Sequence, residues 1–279
     1  MNQLFVKGKV ALVGAGSGDP ELLTIKAMRL LQQADVVLVD RLVSPEILKA
    51  YVNAATEIVY VGKQCRRGLS TPQVTINELM VLYAREGKRV VRLKGGDVSI
   101  FSNILDELQI LVQNQIPYEI VPGITAALGA AAYAGIPLTA REHSTAVRLL
   151  TSYKSGVVSA AYWKELAETG DTLVFYMSSE TIMEVVDKLT LNNIPEDRLL
   201  AVVEQATTPF QKVYTCSLYQ FRELYSQKKF LSPSLIIIGK VVQLHRQFEW
   251  FEGQIENAEY FNCIEETTIN NNQKLALTA

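Results

Sequence analysis

Histidine and cysteine are scarce. The chain of 279 residues has two histidines, His143 and His245, and three cysteines, Cys65, Cys216 and Cys263. The cysteines are odd in number, far apart and never in C-x-x-C spacing, so no zinc-ligand cluster can be assembled from them. Charge of one sign is lacking too. A net charge of −2 provides no bulk positive field for nucleic acid. Long hydrophobic runs are also missing: the longest small-apolar stretch, Ala126–Leu138, is too short and too interrupted by glycine to span a bilayer. Met1–Val10 lacks the apolar core of a signal peptide. These absences predict a soluble, cytoplasmic, metal-free protein with neither nucleic acid nor membrane as partner. What is present is core material. Hydrophobic residues make up 48% and charged residues 20%, enough for two modest, well-filled domains.

The most informative stretch is Lys9–Lys26, KVALVGAGSGDPELLTIK. Lys9–Val13 reads as a short buried strand, followed by the glycine loop Gly14–Gly18, then Asp19-Pro20, then an amphipathic run from Glu21. Glycines after a strand let backbone approach a ligand with no Cβ in the way. Such a loop points to a nucleotide-like cofactor at the carboxyl edge of a parallel sheet. The dinucleotide fingerprint G-x-G-x-x-G with an acid about 20 residues on is only approached. Asp40 has the right position for the acid, but Gly18 falls one place early and Asp19 stands where the third glycine belongs. Asp19-Pro20 also delays the helix, so its start does not face a phosphate.

Strand and helix then alternate. Strands are expected at Val36–Val39, Glu57–Val61, Arg89–Leu93 and Tyr118–Val121. Helices are expected at Glu21–Gln33, from Ser44-Pro45, from Thr71-Pro72 to a cap at Gly87, and over Asn103–Asn114. This alternation predicts a mainly parallel sheet with helices on both faces. Three loops, Gly14–Asp19, Lys94–Asp97 and Pro122–Ala127, leave strand ends on one edge. Turns after strands need glycines in any case, but three such loops on one edge point to a ligand. Asp40 and Lys63 also end strands. Each alone reads as solvated charge, and together they make a candidate acid–base pair. From about Ala146 the pattern restarts, with strands at Val147–Thr151, Thr172–Met177, Leu199–Glu204, Gln211–Thr215 and Leu235–Ile238. Helices there are expected near Ala160–Glu168, Thr181–Leu191 and Leu218–Lys228. After Gly253 the composition turns polar and asparagine-rich, and little packed structure is expected.

GAGSGDPELLT, ADVVLVDRLVSPEIL, YVGK, RLKGGD, VPGITAALGAAAYAGIPLT, DTLVFYM, TTP and SPSLIIIG occur in an order and spacing that resemble the tetrapyrrole methylases. The resemblance runs from about Gly8 to Trp250 and is strongest to the branch that C-methylates uroporphyrinogen III. It implies an α/β protein of two α/β domains, 1–140 and 141–252, with the cofactor cleft between them and a polar tail over 253–279. It further implies a homodimer that binds S-adenosylmethionine, releases S-adenosylhomocysteine, and methylates uroporphyrinogen III at C2 and C7, through precorrin-1 to precorrin-2, for siroheme or corrinoids. By the same resemblance Asp40 is the proton acceptor and Lys63 the proton donor. Cofactor contacts fall on Gly16, Ser17, Gly95, Gly96, Asp97, Ile100, Thr125, Ala126, Met177 and Ala206. The alternatives are another precorrin methylase of the same fold, or a noncatalytic tetrapyrrole or S-adenosylmethionine binder. A separate dehydrogenase/chelatase is expected downstream.

The chain departs from the family pattern at several places. Ser17 replaces a proline. Val98–Glu107, VSIFSNILDE, replaces a proline and a Gly-Arg-Gly stretch. T-H-R-D becomes Thr139-Ala140-Arg141-Glu142, and E-N-G-T-T-P becomes Glu204-Gln205-Ala206-Thr207-Thr208-Pro209. Uroporphyrinogen carries eight carboxylates, and arginine recognises carboxylates bidentately. Lys63, Arg66, Arg67, Lys94, Arg141 and Arg148 are the candidates to meet them, Arg141 foremost because it persists in the family motif.

Overall fold

Strand β1 (Val10–Gly14) is buried at every residue, as a strand covered on both faces must be. The computed structural model describes residues 5–61, 72–151, 159–254 and 258–261. Strands β2 (Val36–Val39), β3 (Glu57–Tyr60), β4 (Val90–Lys94) and β5 (Tyr118–Val121) join β1 in one sheet of order β3-β2-β4-β1-β5. Every pairing in it is parallel, with Val10 opposite Val90 on one side and Tyr118 on the other. The crossovers are α1 (Ile25–Gln33), α2 (Pro45–Tyr51), α3 (Gln73–Arg85) and α4 (Ile104–Gln113). Strand alternation divides the core. Ala11, Val13, Val37, Val39, Val91 and Leu93 pack with Leu30, Leu31 and Ile47 of α1 and α2. Val10, Leu12, Val36, Leu38 and Val90 face Ile76, Leu79, Met80 and Leu111 of α3 and α4.

The second sheet is mixed. It contains β6 (Val147–Thr151), β7 (Thr172–Tyr176), β8 (Leu199–Glu204), β9 (Lys212–Ser217) and β10 (Ser234–Gly239), in the order β6-β7-β10-β8-β9. Only β6 and β7 run parallel, and the other three pairings are antiparallel. Helices α5 (Ala126–Tyr133), α6 (Ala160–Glu168), α7 (Ile182–Leu191), α8 (Leu218–Tyr225) and α9 (His245–Phe248) belong to the same half. Its core gathers Trp163, Phe175, Leu189, Phe221 and Phe230.

Contacts divide the chain between Thr125 and Ala126, giving one unit of Met1–Thr125 with Phe261–Ala279 and another of Ala126–Tyr260. The division thus falls before α5 rather than near residue 140. The physical reason is that α5 and its C-terminal end are tied into the second unit: the Tyr133 carbonyl accepts from Gln211 Nε2 and the Ala134 carbonyl from His245 Nδ1. The stretch after Gly253, expected to be unpacked, is held wherever it is described. Gln254 N donates to the Pro209 carbonyl, and Phe261 is buried.

Helix α1 begins at Ile25, not Glu21. Asp19 caps a short 3-10 turn at Pro20–Leu22 by accepting from Glu21 N, and Thr24 then caps α1 by accepting from Ala27 N. Asp19-Pro20 therefore breaks the direct strand-to-helix entry that a dinucleotide site uses. Among the described residues no helix is long and apolar enough to cross a membrane. Nor do three His, Cys, Asp or Glu side chains gather among them in a way that could hold a metal.

A half-buried ion pair anchors the start of β2 to β4. Arg89 Nη2 lies 2.6 Å from Asp35 Oδ1, and Nε and the backbone N–H of Arg89 both donate to Oδ2. These bonds hold the Asp35 carboxyl at about 2, against an ordinary 3.8. Because the folded value is depressed, the stability it contributes is complete above the unfolded value and lost as pH falls through the folded one. Acid titration of wild type against Asp35→Asn should therefore separate the two unfolding curves above about pH 4 and bring them together toward pH 2. Parallel curves over that window would refute the assignment.

Candidate functional site

The three loops read from the sequence leave three adjacent strands, β4, β1 and β5, at their carboxyl ends. Ala15 N donates to the Lys94 carbonyl at 2.8 Å, Gly16 N to the Gly96 carbonyl at 3.1 Å, and Gly96 N back to Gly16 at 2.7 Å. A β-carbon on Gly14 would lie 2.6 Å from Gly123 N and 2.7 Å from Gly96 O. One on Gly123 would lie 2.8 Å from the Gly14 carbonyl carbon, and closer still to Gly96 O. Three backbones thus meet where side chains have no room. Gly95 does the same work toward the loop after β2, since a β-carbon there would be 2.8 Å from the Leu42 carbonyl oxygen.

Asp97 ties the loop after β4 to the loop after β5. Its Oδ2 accepts from Gly123 N at 2.9 Å, and its Oδ1 accepts from the backbone N–H and hydroxyl of Ser99. Burial acts to raise the Asp97 pKa, but hydrogen bonds from Ser99, Gly123 and Val98 outweigh it and hold the carboxyl below its ordinary range. Asp97 thus strengthens the fold above its unfolded pKa, near 4, and that contribution fades as pH drops through the lower folded value. Asp97→Asn should cost about 1.5–3 kcal/mol near neutral pH, the worth of hydrogen bonds to a charged group. Chemical denaturation reads it, and a shift under about 0.5 kcal/mol would show that the carboxylate is not the tie.

Asp40 follows β2, next to the β4 loop. It is half-buried, its backbone N–H donates to Leu93 O at 3.0 Å, and its Oδ1 accepts from Arg41 N at 2.8 Å. Lys63, Arg66 and Arg67 lie outside the described residues. In the first unit, then, the structure brings Gly16, Ser17, Gly95, Gly96 and Asp97 to one edge with the Gly123–Thr125 loop, and Asp40 stands on the neighbouring strand end. Ile100 follows in a partly exposed turn; Phe101 and Asn103 beyond it have left-handed backbone, at φ 51° and 53°.

Lys94 is corrected. It is 3% exposed, and its Nζ lies 2.6 Å from Glu107 Oε2, while Glu107 Oε1 accepts from Arg92 Nε at 3.0 Å. A cation inside the core and engaged by a carboxylate of α4 is not available to a substrate carboxylate. Burial is the largest influence and draws the Lys94 ammonium below its ordinary range, with Glu107 opposing the shift and Arg92 adding to it. Arg92 Nη1 also donates to the carbonyls of Leu38 and Leu93, fastening β2 to β4 just before the Asp40 and Gly95 loops. Arg148 is corrected likewise: it pairs with Asp171 at 2.5 Å and Glu165 at 2.6 Å, so its guanidinium already has carboxylate partners. Arg141 is exposed, in a turn where its carbonyl accepts from His143 Nδ1.

In the second unit, Ala127 N donates to the Tyr176 hydroxyl at 3.0 Å, which ties the start of α5, and Ala126 with it, to the end of β7. Met177 follows, 55% exposed with φ 52°. Ala206 lies buried in the loop between β8 and β9. Glu107 and Tyr176 were not singled out from the sequence. Glu107 was detectable as an acid one helical turn before Leu111 on the buried face of α4, opposite two cations spaced two apart on β4.

Residues 9–222 match the family model of Tetrapyrrole (Corrin/Porphyrin) Methylases. The chain belongs to that family. It is 47% identical over 246 residues to a siroheme synthase of Ectopseudomonas mendocina, covering 88% of this chain and 53% of that one. The chain thus spans about half the length of the siroheme synthases it matches. Among solved structures, a cobalt precorrin-4 methyltransferase superposes with a TM-score of 0.74 at 29% identity, covering 84% of this chain and 96% of the other. A uroporphyrin-III C-methyltransferase from Thermus thermophilus, complexed with S-adenosylhomocysteine, gives 0.71 at 34% identity over 85% and 94%. The two α/β units thus have the family's fold.

Proposed function

We propose that this methylase transfers methyl groups from S-adenosylmethionine to C2 and C7 of uroporphyrinogen III, forming precorrin-2 through precorrin-1. The observation that carries the reading is the edge where Gly14, Gly96 and Gly123 meet backbone to backbone, in a chain 34% identical to a structure holding S-adenosylhomocysteine. Loops packed backbone to backbone, with no side chain at their contact, suit a cofactor gripped by main chain. Gly16, Ser17, Gly95, Gly96, Asp97, Ile100, Thr125, Ala126, Met177 and Ala206 are the residues proposed to contact it. When bound, the cofactor supplies a methyl group already activated on a sulfonium sulfur. The chain's own contribution is then mostly placement of the ring carbon, which can lower a barrier by roughly 7–11 kcal/mol.

Methylation leaves the tetrapyrrole cationic, and a proton must leave the ring. Asp40 is the group assigned to accept it, Lys63 the donor, and Arg141 the exposed cation offered to a substrate carboxylate. The protein is proposed to act in the cytoplasm as a homodimer.

The test is anaerobic incubation with S-adenosylmethionine and uroporphyrinogen III, with mass spectrometry of the oxidised products. A gain of two methyl groups is expected; no gain, with cofactor bound, would overturn the reading. Asp40→Asn should lower kcat by roughly 10²–10⁴, the usual worth of general acid–base catalysis, with S-adenosylhomocysteine affinity unchanged. Undiminished turnover would remove Asp40 from the mechanism.

A further inference from the structure

We propose that Gln205 is a positioning residue, clasped by Ala258 and Tyr260, that holds the Gln205–Thr208 loop in the shape that presents Ala206 to the cofactor. The proposal rests on the reading that this loop meets S-adenosylmethionine. The loop is buried throughout, with Gln205 at 1% and Thr208 at 0% exposure. It is also strained: Gln205 has φ 48° and Thr207 φ 65°. Left-handed backbone costs an L-residue roughly 1–2 kcal/mol, and a β-branched threonine there is a genuine outlier. Such conformations persist only where the surroundings over-determine them.

Within the loop Thr207 N donates to Gln211 Oε1 and the Thr208 hydroxyl to the Gln205 carbonyl, both at 2.8 Å. Gln205 N donates to the Pro233 carbonyl at 2.7 Å, while the Gln205 side chain is held by the C-terminal segment. Gln205 Nε2 donates to the Ala258 carbonyl at 2.9 Å, and Tyr260 N donates to Gln205 Oε1 at 2.6 Å. Both ends of one buried amide are thus satisfied by main chain two residues apart, as a strand partner would satisfy them. Gln254 N donates to Pro209 O at 2.5 Å, and the Phe210 and Tyr260 rings sit 6.2 Å apart. Upstream, Trp250 Nε1 donates to Ala132 O at 2.8 Å, and Tyr133 packs against Trp250 and Phe251. The segment is therefore moored on α5 before it reaches the loop.

In place of Gln205 an asparagine amide stops about 1.5 Å shorter, one carbon–carbon bond, and cannot span both bonds. The extra methylene and the clasping segment, which lies beyond the matched residues 9–222, form one device.

The test measures S-adenosylhomocysteine affinity by calorimetry on the full chain. Gln205→Asn and Tyr260→Pro, which lacks the N–H donor, should each weaken binding about tenfold, the loss of roughly one buried hydrogen bond. Tyr260→Ala keeps that N–H and should bind within about threefold of wild type. The double variant Gln205→Asn/Tyr260→Pro should be no worse than either single change, since both break one clasp. In turnover, KM for S-adenosylmethionine should rise while KM for uroporphyrinogen III stays put, a split that general destabilisation would not produce. Wild-type affinity in both single variants overturns the clasp alone, as does a loss matched by a comparable fall in melting temperature. Absence of binding by the wild type overturns the function reading and the clasp together.

Discussion

Glu107→Ala is expected to destabilise the protein by about 3–5 kcal/mol, the range for removing one partner of a buried ion pair. Glu107 is fully buried and uses both carboxylate oxygens, one on Arg92 and one on Lys94. Removing it leaves two cations on one face of a central strand without the carboxylate that pairs them, and each is only 4% exposed at the side chain. Arg92 retains the carbonyls of Leu38 and Leu93, so the greater loss falls on Lys94. Lys94 can respond by shedding its proton, the direction in which burial already drives it. The damage should therefore be less severe at alkaline pH. At about 2–4 °C per kcal/mol for a chain of this size, thermal unfolding should start on the order of 10 °C earlier. Adding Lys94→Met should recover part of the loss, because an apolar side chain of similar length needs no partner there. Loss of under 1 kcal/mol, or no recovery in the double variant, would show that the triad is not what holds β4 to α4.

Gly123→Ala should abolish measurable S-adenosylhomocysteine binding while leaving most of the fold in place. The new methyl would meet three backbone atoms, Gly96 O, Gly14 C and Gly14 Cα, none of which can rotate away as a side chain would. Overpacking of this sort costs about 1–3 kcal/mol, occasionally more, and the relief is for the β5 loop to move outward. That movement draws Gly123 N off Asp97 Oδ2 and frees the carboxylate that ties the loops after β4 and β5. The cradle is lost before the sheet is. Gly170→Ala is the matched control. A β-carbon there meets nothing within 4 Å, and the expected change is neutral or a gain of up to about 1 kcal/mol from the stiffer unfolded chain. Calorimetric titration with S-adenosylhomocysteine, alongside denaturant melts of both variants, separates the outcomes. Full affinity in Gly123→Ala would mean that the cofactor does not lie on this edge.

Most of the first sheet was legible because its strands are short apolar runs between turn residues. Strands β2 and β5 and, in the second half, β6 and β8 have the bounds read from the sequence. Helix starts were less legible where two signals competed. At Glu21 the amphipathic pattern argued for helix, but Asp19 and Thr24 each offered a cap and the second prevailed. Lys94 was misread for a different reason. Its partner is on another element, and nothing in RLKGGD shows that the next helix carries an acid inward at Glu107. The mixed direction of the second sheet was also not foreseen, because strand sequence reports burial better than orientation. Gln205 was noted only as a departure from a family pattern. Its purpose depends on a segment more than fifty residues away, whose composition reads as tail.

The parallel order of the first sheet also governs how the chain emerges from a ribosome. Val10 in β1 pairs with Val90 and Tyr118 and with nothing nearer in sequence. At the usual 5–20 residues per second of synthesis, this wholly apolar strand waits roughly 4–16 s for its first neighbour. Throughout that interval it is an unpaired, aggregation-prone edge. The second unit has no such delay, since β8 and β9 form a hairpin across a seven-residue loop spanning Gln205–Gln211. The half that holds the glycine cradle is therefore the half with the longer need of a chaperone while it is being made.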